Sequence, residues 1–170
     1  MKKLVIWSLI LTAGLVSAPA FAAGEKIGYV DLARIFDEYQ KTKEFDKSLE
    51  SKGQAKQGER DKMVNEVKKL RDESELLSAK AKDDKQAVID ERIKALQEFD
   101  RITRDDLRKQ RDVMVRDILK EIETVIQDFG KAQGFSFIFN DRVLVFKSEG
   151  SDLTAQVIKT LNDGYAIKKK

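Results

Sequence analysis

The sequence predicts an α+β protein in which a long antiparallel α-helical coiled-coil hairpin is attached to a small three-stranded β head that associates with further copies. Three observations predict it. The stretch 42–133 contains no Pro and few Gly, and is dense in Lys, Glu, Asp, Arg, Gln, Ala and Leu, the composition of long helices. Apolar residues within it recur in steps of four and three, the a/d spacing of a coiled coil. Short β-branched and aromatic runs flank it on both sides, too little chain to form a stable domain alone.

The N-terminus reads as an export signal. Lys2 and Lys3 precede an uncharged, largely apolar run, Leu4–Val16, and then Ser17-Ala18-Pro19-Ala20-Phe21-Ala22. A basic start, a short apolar stretch and the A-x-A site at Ala20 and Ala22 make residues 1–22 a cleaved signal peptide. The run falls short of the roughly 20 residues that span a bilayer. No Cys follows the site to carry a lipid anchor. The mature chain loses the only Pro and the only Trp with this segment and has neither Cys nor His. It carries 31 basic and 30 acidic residues, so the whole-sequence pI of 8.9 overstates how basic it is.

These absences exclude whole classes of chemistry. Thiol nucleophiles, Ser-His-Asp triads and ordinary zinc sites need Cys or His. No G-x-x-x-x-G-K-[ST] loop is present to cradle a nucleotide. A pair of carboxylates in a cleft would suffice for glycoside hydrolysis, but acids spread along a helical surface form a solvated face. A non-enzyme without cofactor or metal is therefore expected. Without Cys, stability has to come from packing or association rather than disulfides.

Residues 23–41 form the first part of the head. Lys26–Val30 is a strand candidate, and Asp31 is placed to cap a short helix from Leu32 to Tyr39. The arm follows over 42–133. One seam runs Leu49, Gly53, Lys56, Arg60, Met63, Val67, Leu70, Ser74, Leu77, Ala81. A second runs through Ile89, Ile93 and Leu96 and resumes at Met114, Ile118, Ile122, Val125 and Phe129. The hairpin is expected to turn at Lys82-Asp83-Asp84-Lys85, where Asp83 and Gln86 have the form of a capping box. Two helices of roughly 40 residues would each be on the order of 60 Å long.

The seam is polar in its middle. Lys56 and Arg60 occupy core spacings, Gly53 and Gly58 flank them, and Asp100, Thr103 and Gln110 fall opposite. Each internal Gly weakens a helix by about 1 kcal/mol relative to Ala. Gly53, Lys56, Gly58 and Arg60 thus mark either an ordinary imperfect coiled coil or an arm able to splay. Charge is balanced along the arm, with 22 basic and 22 acidic residues between Lys41 and Gly130. That balance, and export, argue against nucleic acid as a partner. A local basic group, Arg101, Arg104, Arg108, Lys109 and Arg111, is the candidate contact for an anionic lipid surface.

Residues 134–170 complete the head. Gly134 ends the arm, Phe135–Phe139 reads as a strand, Asn140-Asp141 as a turn, and Val143–Phe146 as a third strand. Ser151 or Asp152 caps a last helix with Leu153, Val157, Ile158 and Leu161 on one face. Ile27, Tyr29, Ile138, Val143 and Val145 are the expected core of the head and of its assembly. A head so small, with exposed sheet edges and no disulfide or metal, is best completed by other copies of itself.

Taken in order, these segments resemble the Skp/OmpH family of periplasmic chaperones. The resemblance rests on Lys26-Ile27-Gly28-Tyr29-Val30-Asp31 and Ile35-Phe36, then the charged hairpin, then Gly134-Phe135-Ser136-Phe137-Ile138 and Val143-Leu144-Val145-Phe146. Asp152-Leu153-Thr154 and Leu161-Asn162 close it. It implies a periplasmic homotrimer whose three arms hold unfolded outer-membrane β-barrel proteins without ATP. It also implies a possible role for lipopolysaccharide at basic residues of the arms. Beside this holdase reading stand a spacer or adaptor coiled coil and an envelope-lipid binder. Suppression of porin aggregation separates the first from the second, and salt-sensitive binding marks the third.

Overall fold

A computed structural model describes residues 25–169. The expected signal peptide, residues 1–22, lies outside them. The elements are β1 (Ile27–Val30), α1 (Leu32–Glu38), α2 (Gln40–Glu75), α3 (Ala79–Gln133), β2 (Phe137–Asn140) and α4 (Thr154–Lys168), with 3₁₀ turns at Asp141–Val143 and Glu149–Ser151.

The Asp31 side chain accepts from the Arg34 N–H at 2.9 Å and so starts α1, as its position predicts. α1 and α2 meet at Tyr39, whose extended backbone breaks the helix. Tyr39 has no side chain able to cap α2 from that position, and Asn162 of α4 does it instead. Its Oδ1 accepts from the Gln40 N–H at 2.8 Å. Gly134, with φ at 69°, ends α3 in the left-handed conformation.

β1 and β2 pair in parallel, Ile27 opposite Phe137 through Val30 opposite Asn140, and the whole arm is their crossover. Asp152 adds an isolated bridge to Tyr29 on the other side of β1. The third strand expected at Val143–Phe146 does not form among the described residues. A two-residue hairpin there would need positive φ at its turn. Asn140 instead sits at φ −72°, and its side chain accepts from the Arg142 N–H to start a 3₁₀ turn that leads away from β2.

The core is correspondingly more helical than a three-stranded head implies. Val30, Ile35, Tyr39, Ile118, Ile122, Leu153, Val157, Ile158 and Leu161 are buried together, with Ile138 packed against them. Period-two alternation explains the rest. Gly28, Val30 and Ile138 face this core, while Ile27, Phe137 and Phe139 lie exposed. Of the five expected head-core residues, Ile138 packs on the core, and Tyr29 is buried between the Asp152 bridge and the Lys147 ammonium. Ile27, Val143 and Val145 are outside the core of the single chain, and Val145 is fully exposed.

The two end segments of the chain are locked together. The Leu153 N–H donates to the Tyr29 carbonyl at 2.9 Å, and the Asp31 N–H donates to Thr154 Oγ1 at 2.9 Å. Asp152 accepts from the Thr154 N–H, steadying the start of α4 rather than capping it. Gly28 lies so close beneath that a Cβ there would stand 2.5 Å from a Leu153 methyl. Gly28→Ala should therefore displace a buried Leu and cost about 1–3 kcal/mol. Chemical denaturation of the variant measures it.

α4 also clasps the root of the arm. Lys41 and Lys168 reach Glu121 at 2.7 and 3.4 Å. Glu44 accepts from Lys169 at 2.7 Å and from the Tyr165 hydroxyl at 3.0 Å. Burial, the largest influence on Glu121, raises its pKa, but Lys41 and Lys168 together outweigh it and hold the carboxyl below its usual value. Lys169, then Tyr165, hold Glu44 below as well. Carboxyls with depressed pKa values stabilise the fold above the unfolded value and lose that contribution as pH falls through the folded one. The melting temperature of the head should thus be flat above about pH 5 and fall toward about pH 3. A Glu121→Gln, Glu44→Gln double variant should show a smaller fall over that range.

Candidate functional site

The arm positions the first set of candidate residues. Its turn is at Leu76-Leu77-Ser78, ahead of the expected Lys82–Lys85. Ser78 takes the extended N-cap conformation, and its carbonyl accepts the first α3 bond from Lys82. The capping residues Asp83 and Gln86 lie inside α3, where Lys85 pairs with Glu73 across the hairpin at 2.7 Å. Leu76, at the tip, is 88% exposed.

The α2 seam lies where its spacing predicts. Leu49, Gly53, Lys56, Arg60, Met63, Val67, Leu70 and Ser74 are each at least half-buried, while their helical neighbours are almost all exposed. Leu77, at the turn, departs from it. The hairpin is packed dry only at its two ends. Val67 and Ile89 are buried toward the tip, and Thr42, Ile118 and Ile122 at the root. Between them no side chain of either helix is fully buried.

That middle is held by polar contacts. Arg60 reaches Asp100 at 2.9 Å, Lys52 donates to Gln110 Oε1 at 2.7 Å, and the Lys56 ammonium lies 5.5 Å from the Phe99 ring centroid. Arg60 and Asp100 are each about a third exposed, so their pair contributes no more than about 1 kcal/mol. Grooves of about 410 Å³ and 310 Å³ open there, both lined by Lys56, Thr103 and Leu107. Gly53 and Gly58 have open space where a Cβ would stand. Nothing in the packing requires glycine at either position. Phe99 was not singled out by the sequence, although its place beside Asp100 on the seam was a usable signal.

The basic group is partly neutralised. Arg101, Arg104, Arg108 and Arg111 follow steps of three and four and share one flank of α3, with Lys109 off that line. Arg101 pairs with Glu98 and Asp105, and Arg108 approaches Asp112 at 3.9 Å. The Glu98 hydrogen bond is the main cause that raises the Arg101 pKa. Among the described residues Arg104 and Arg111 form no ion pair.

The head presents a second candidate surface. Ile27, Phe137 and Phe139 stand on the outer face of the sheet, the two Phe rings stacked at 6.0 Å between centroids. Val143, Val145 and Phe146, after β2, are 69%, 107% and 87% exposed. Among the described residues the outer edge of β2 has no strand beside it. An open edge and an exposed apolar segment thus occur in one chain. Each is what the other lacks, and their parity in the sequence alone would have marked Phe137 and Phe139 as outward-facing.

The comparisons with known proteins agree with this architecture. A family profile described as "Outer membrane protein (OmpH-like)" matches residues 26–161. The fold is similar to the crystal structure of a protein from Caulobacter crescentus CB15 described as an OmpH-like outer membrane chaperone, with a TM-score of 0.71. The likeness covers 82% of this chain and 85% of that one at 19% identity. No curated protein matches the chain significantly.

Proposed function

This chain belongs to the OmpH-like outer membrane protein family, and from that premise we propose that it is a periplasmic holdase chaperone, working without ATP. Its clients are unfolded outer-membrane β-barrel proteins, held between the arms of a homotrimer until they insert. The observation that carries the reading is the arm itself. α3 alone has 55 residues, about 80 Å of helix, and most of that length serves no core of the chain's own. An unfolded barrel strand alternates apolar and polar side chains, and a mixed, weakly packed surface suits it at many points. Three arms on one head then add avidity without any single strong site.

The free edge of β2 and the exposed apolar segment 143–146 support assembly through the head. The segment 143–146 of one copy can extend the open β2 edge of the next, covering Phe137 and Phe139. The third strand that the sequence predicts would then exist only between chains. A lipid role would fall to Arg104 and Arg111 and would weaken in high salt. The central test dilutes a urea-unfolded porin into buffer with and without the protein and follows light scattering. One trimer per porin, seen by mass measurement, with scattering suppressed, is the expected result. A stable folded monomer, or undiminished aggregation at equimolar trimer, would sink the proposal.

A further inference from the structure

One line of apolar side chains on α3 takes no part in the hairpin seam. Val88, Ala95, Ile102 and Val113 are all exposed, the three larger ones by 42%, 53% and 41%. Their steps of seven, seven and eleven residues bring them within an arc of about 40° on the helix. The seam residues Ile89, Ile93 and Leu96 lie roughly a quarter turn or more away. Toward the root the line opens into a groove of about 490 Å³ where Val113 and Met114 face Phe45. Exposed apolar groups on so charged a helix cost solubility, and of the four only Val113 lines a groove shared with α2.

Length and charge identify what covers the line. From Val88 to Val113 the helix rises about 37 Å, which an extended chain spans in about 11 residues. A membrane barrel strand has about 9–11. Val88 and Ile102 lie about 21 Å apart along the axis, close to three two-residue repeats of a strand, about 20 Å. Charges of both signs accompany the line, Glu91, Glu98 and Lys109 on one flank and Lys85 and Arg92 on the other, with Asp106 within it between Ile102 and Val113. Neither sign dominates, so the line does not select an acidic or a basic partner. It fits a segment whose apolar side chains point one way and whose uncharged polar ones point the other.

We infer that this line is the client-contacting face of the arm, and that each arm lays one unfolded barrel strand along Val88, Ala95, Ile102 and Val113. The inference rests on the holdase reading above and adds to it which face of the arm does the holding. The seam is untouched by it, so the arm keeps its own packing while the client is bound.

The test uses the full mature protein and an unfolded sixteen-stranded porin. The variant Val88→Ser, Ile102→Ser, Val113→Ser removes the three larger side chains of the line, and Val64→Ser, Leu77→Ser, Leu119→Ser removes as many exposed apolar side chains elsewhere. The first should weaken porin binding about five-fold or more, since each arm loses its contacts at once, and the second should leave it near the wild-type value. Both should keep the wild-type melting curve. A photo-crosslinker at position 102 should capture porin several-fold more than one at position 94. Equal retention of porin by both variants, or equal crosslinking at both positions, overturns the assignment while leaving the holdase reading standing. Crosslinks at 102 between arms in the absence of porin would instead make the line an arm-to-arm seam and overturn it. If the wild-type protein itself fails to hold porin, the reading beneath falls, and the assignment with it.

Discussion

Val157→Asp should leave the head unfolded, whereas the same substitution at Val145 should leave each chain folded but unable to assemble. Val157 is fully enclosed at the centre of the cluster formed by α1, α4, β1 and the root of α3. A carboxylate placed there has no basic partner among the cluster residues, and an uncompensated buried charge costs about 3–5 kcal/mol. That is a large part of the stability of a small domain. Val145 is fully exposed in the single chain, so an Asp there meets water and costs the monomer little. It would, however, place a charge in the proposed between-chain strand next to the apolar Phe137 and Phe139. Thermal melting by circular dichroism and mass measurement in solution separate the two effects. If Val145→Asp remains trimeric, the segment 143–146 is not the joining element. If Val157→Asp melts like the wild type, the core has been assigned to the wrong elements.

The second large effect is expected in the middle of the arm. Gly53→Ala and Gly58→Ala fill space that is empty around both positions, and each should stabilise the helix by up to about 1 kcal/mol. Lys56→Leu and Arg60→Leu continue the apolar seam between Leu49 and Met63. Arg60 is bonded to Asp100 across the hairpin, so Asp100→Leu has to accompany it, or a half-buried carboxylate is left without its partner. The five changes together should raise the melting temperature of the arm and close the two grooves beside Lys56. If the polar middle lets the arms bow outward around large clients, the stiffened protein should still retain an eight-stranded barrel protein in solution. It should lose a sixteen-stranded one within a fraction of the wild-type time. Equal retention of both by an arm shown to be stiffer would reduce Lys56, Arg60 and the two glycines to ordinary coiled-coil irregularities.

What was legible in the sequence follows from how local each cause is. The seam of α2 was readable from Leu49 to Ser74 even through Gly53, Lys56 and Arg60, because spacing alone places a residue on a helix face. Asp31 and Gly134 were readable because caps are decided within a few residues. The hairpin tip was misplaced because Asp83 and Gln86 satisfy a local capping rule that the longer packing of Ile89 against the α2 seam overrides. The third strand was read from composition, since Val143, Leu144, Val145 and Phe146 are good strand formers. The chain after β2 enters a 3₁₀ turn at Asp141–Val143, so this segment does not fold back onto the free edge of β2. The clasp of Lys41, Glu121 and Lys168, and the cap that Asn162 provides to α2, join residues far apart in the chain. No window of sequence contains them.

The parallel pairing of β1 with β2 sets the order in which the molecule can come together. Ile27 pairs with Phe137, 110 residues away, so the sheet cannot start while its second strand is still to emerge. The hairpin needs no such wait, because its contacts zip outward from the turn at Leu76–Ser78 between residues that are near in sequence. Once zipped, it holds the ends of the crossover side by side. Closing a loop of 110 residues rather than one of about 10 costs roughly 2 kcal/mol more in chain entropy, and a preformed arm removes most of that difference. A slow-closing, high-separation sheet thereby becomes a fast local one. The arm thus serves as the scaffold on which its own head folds.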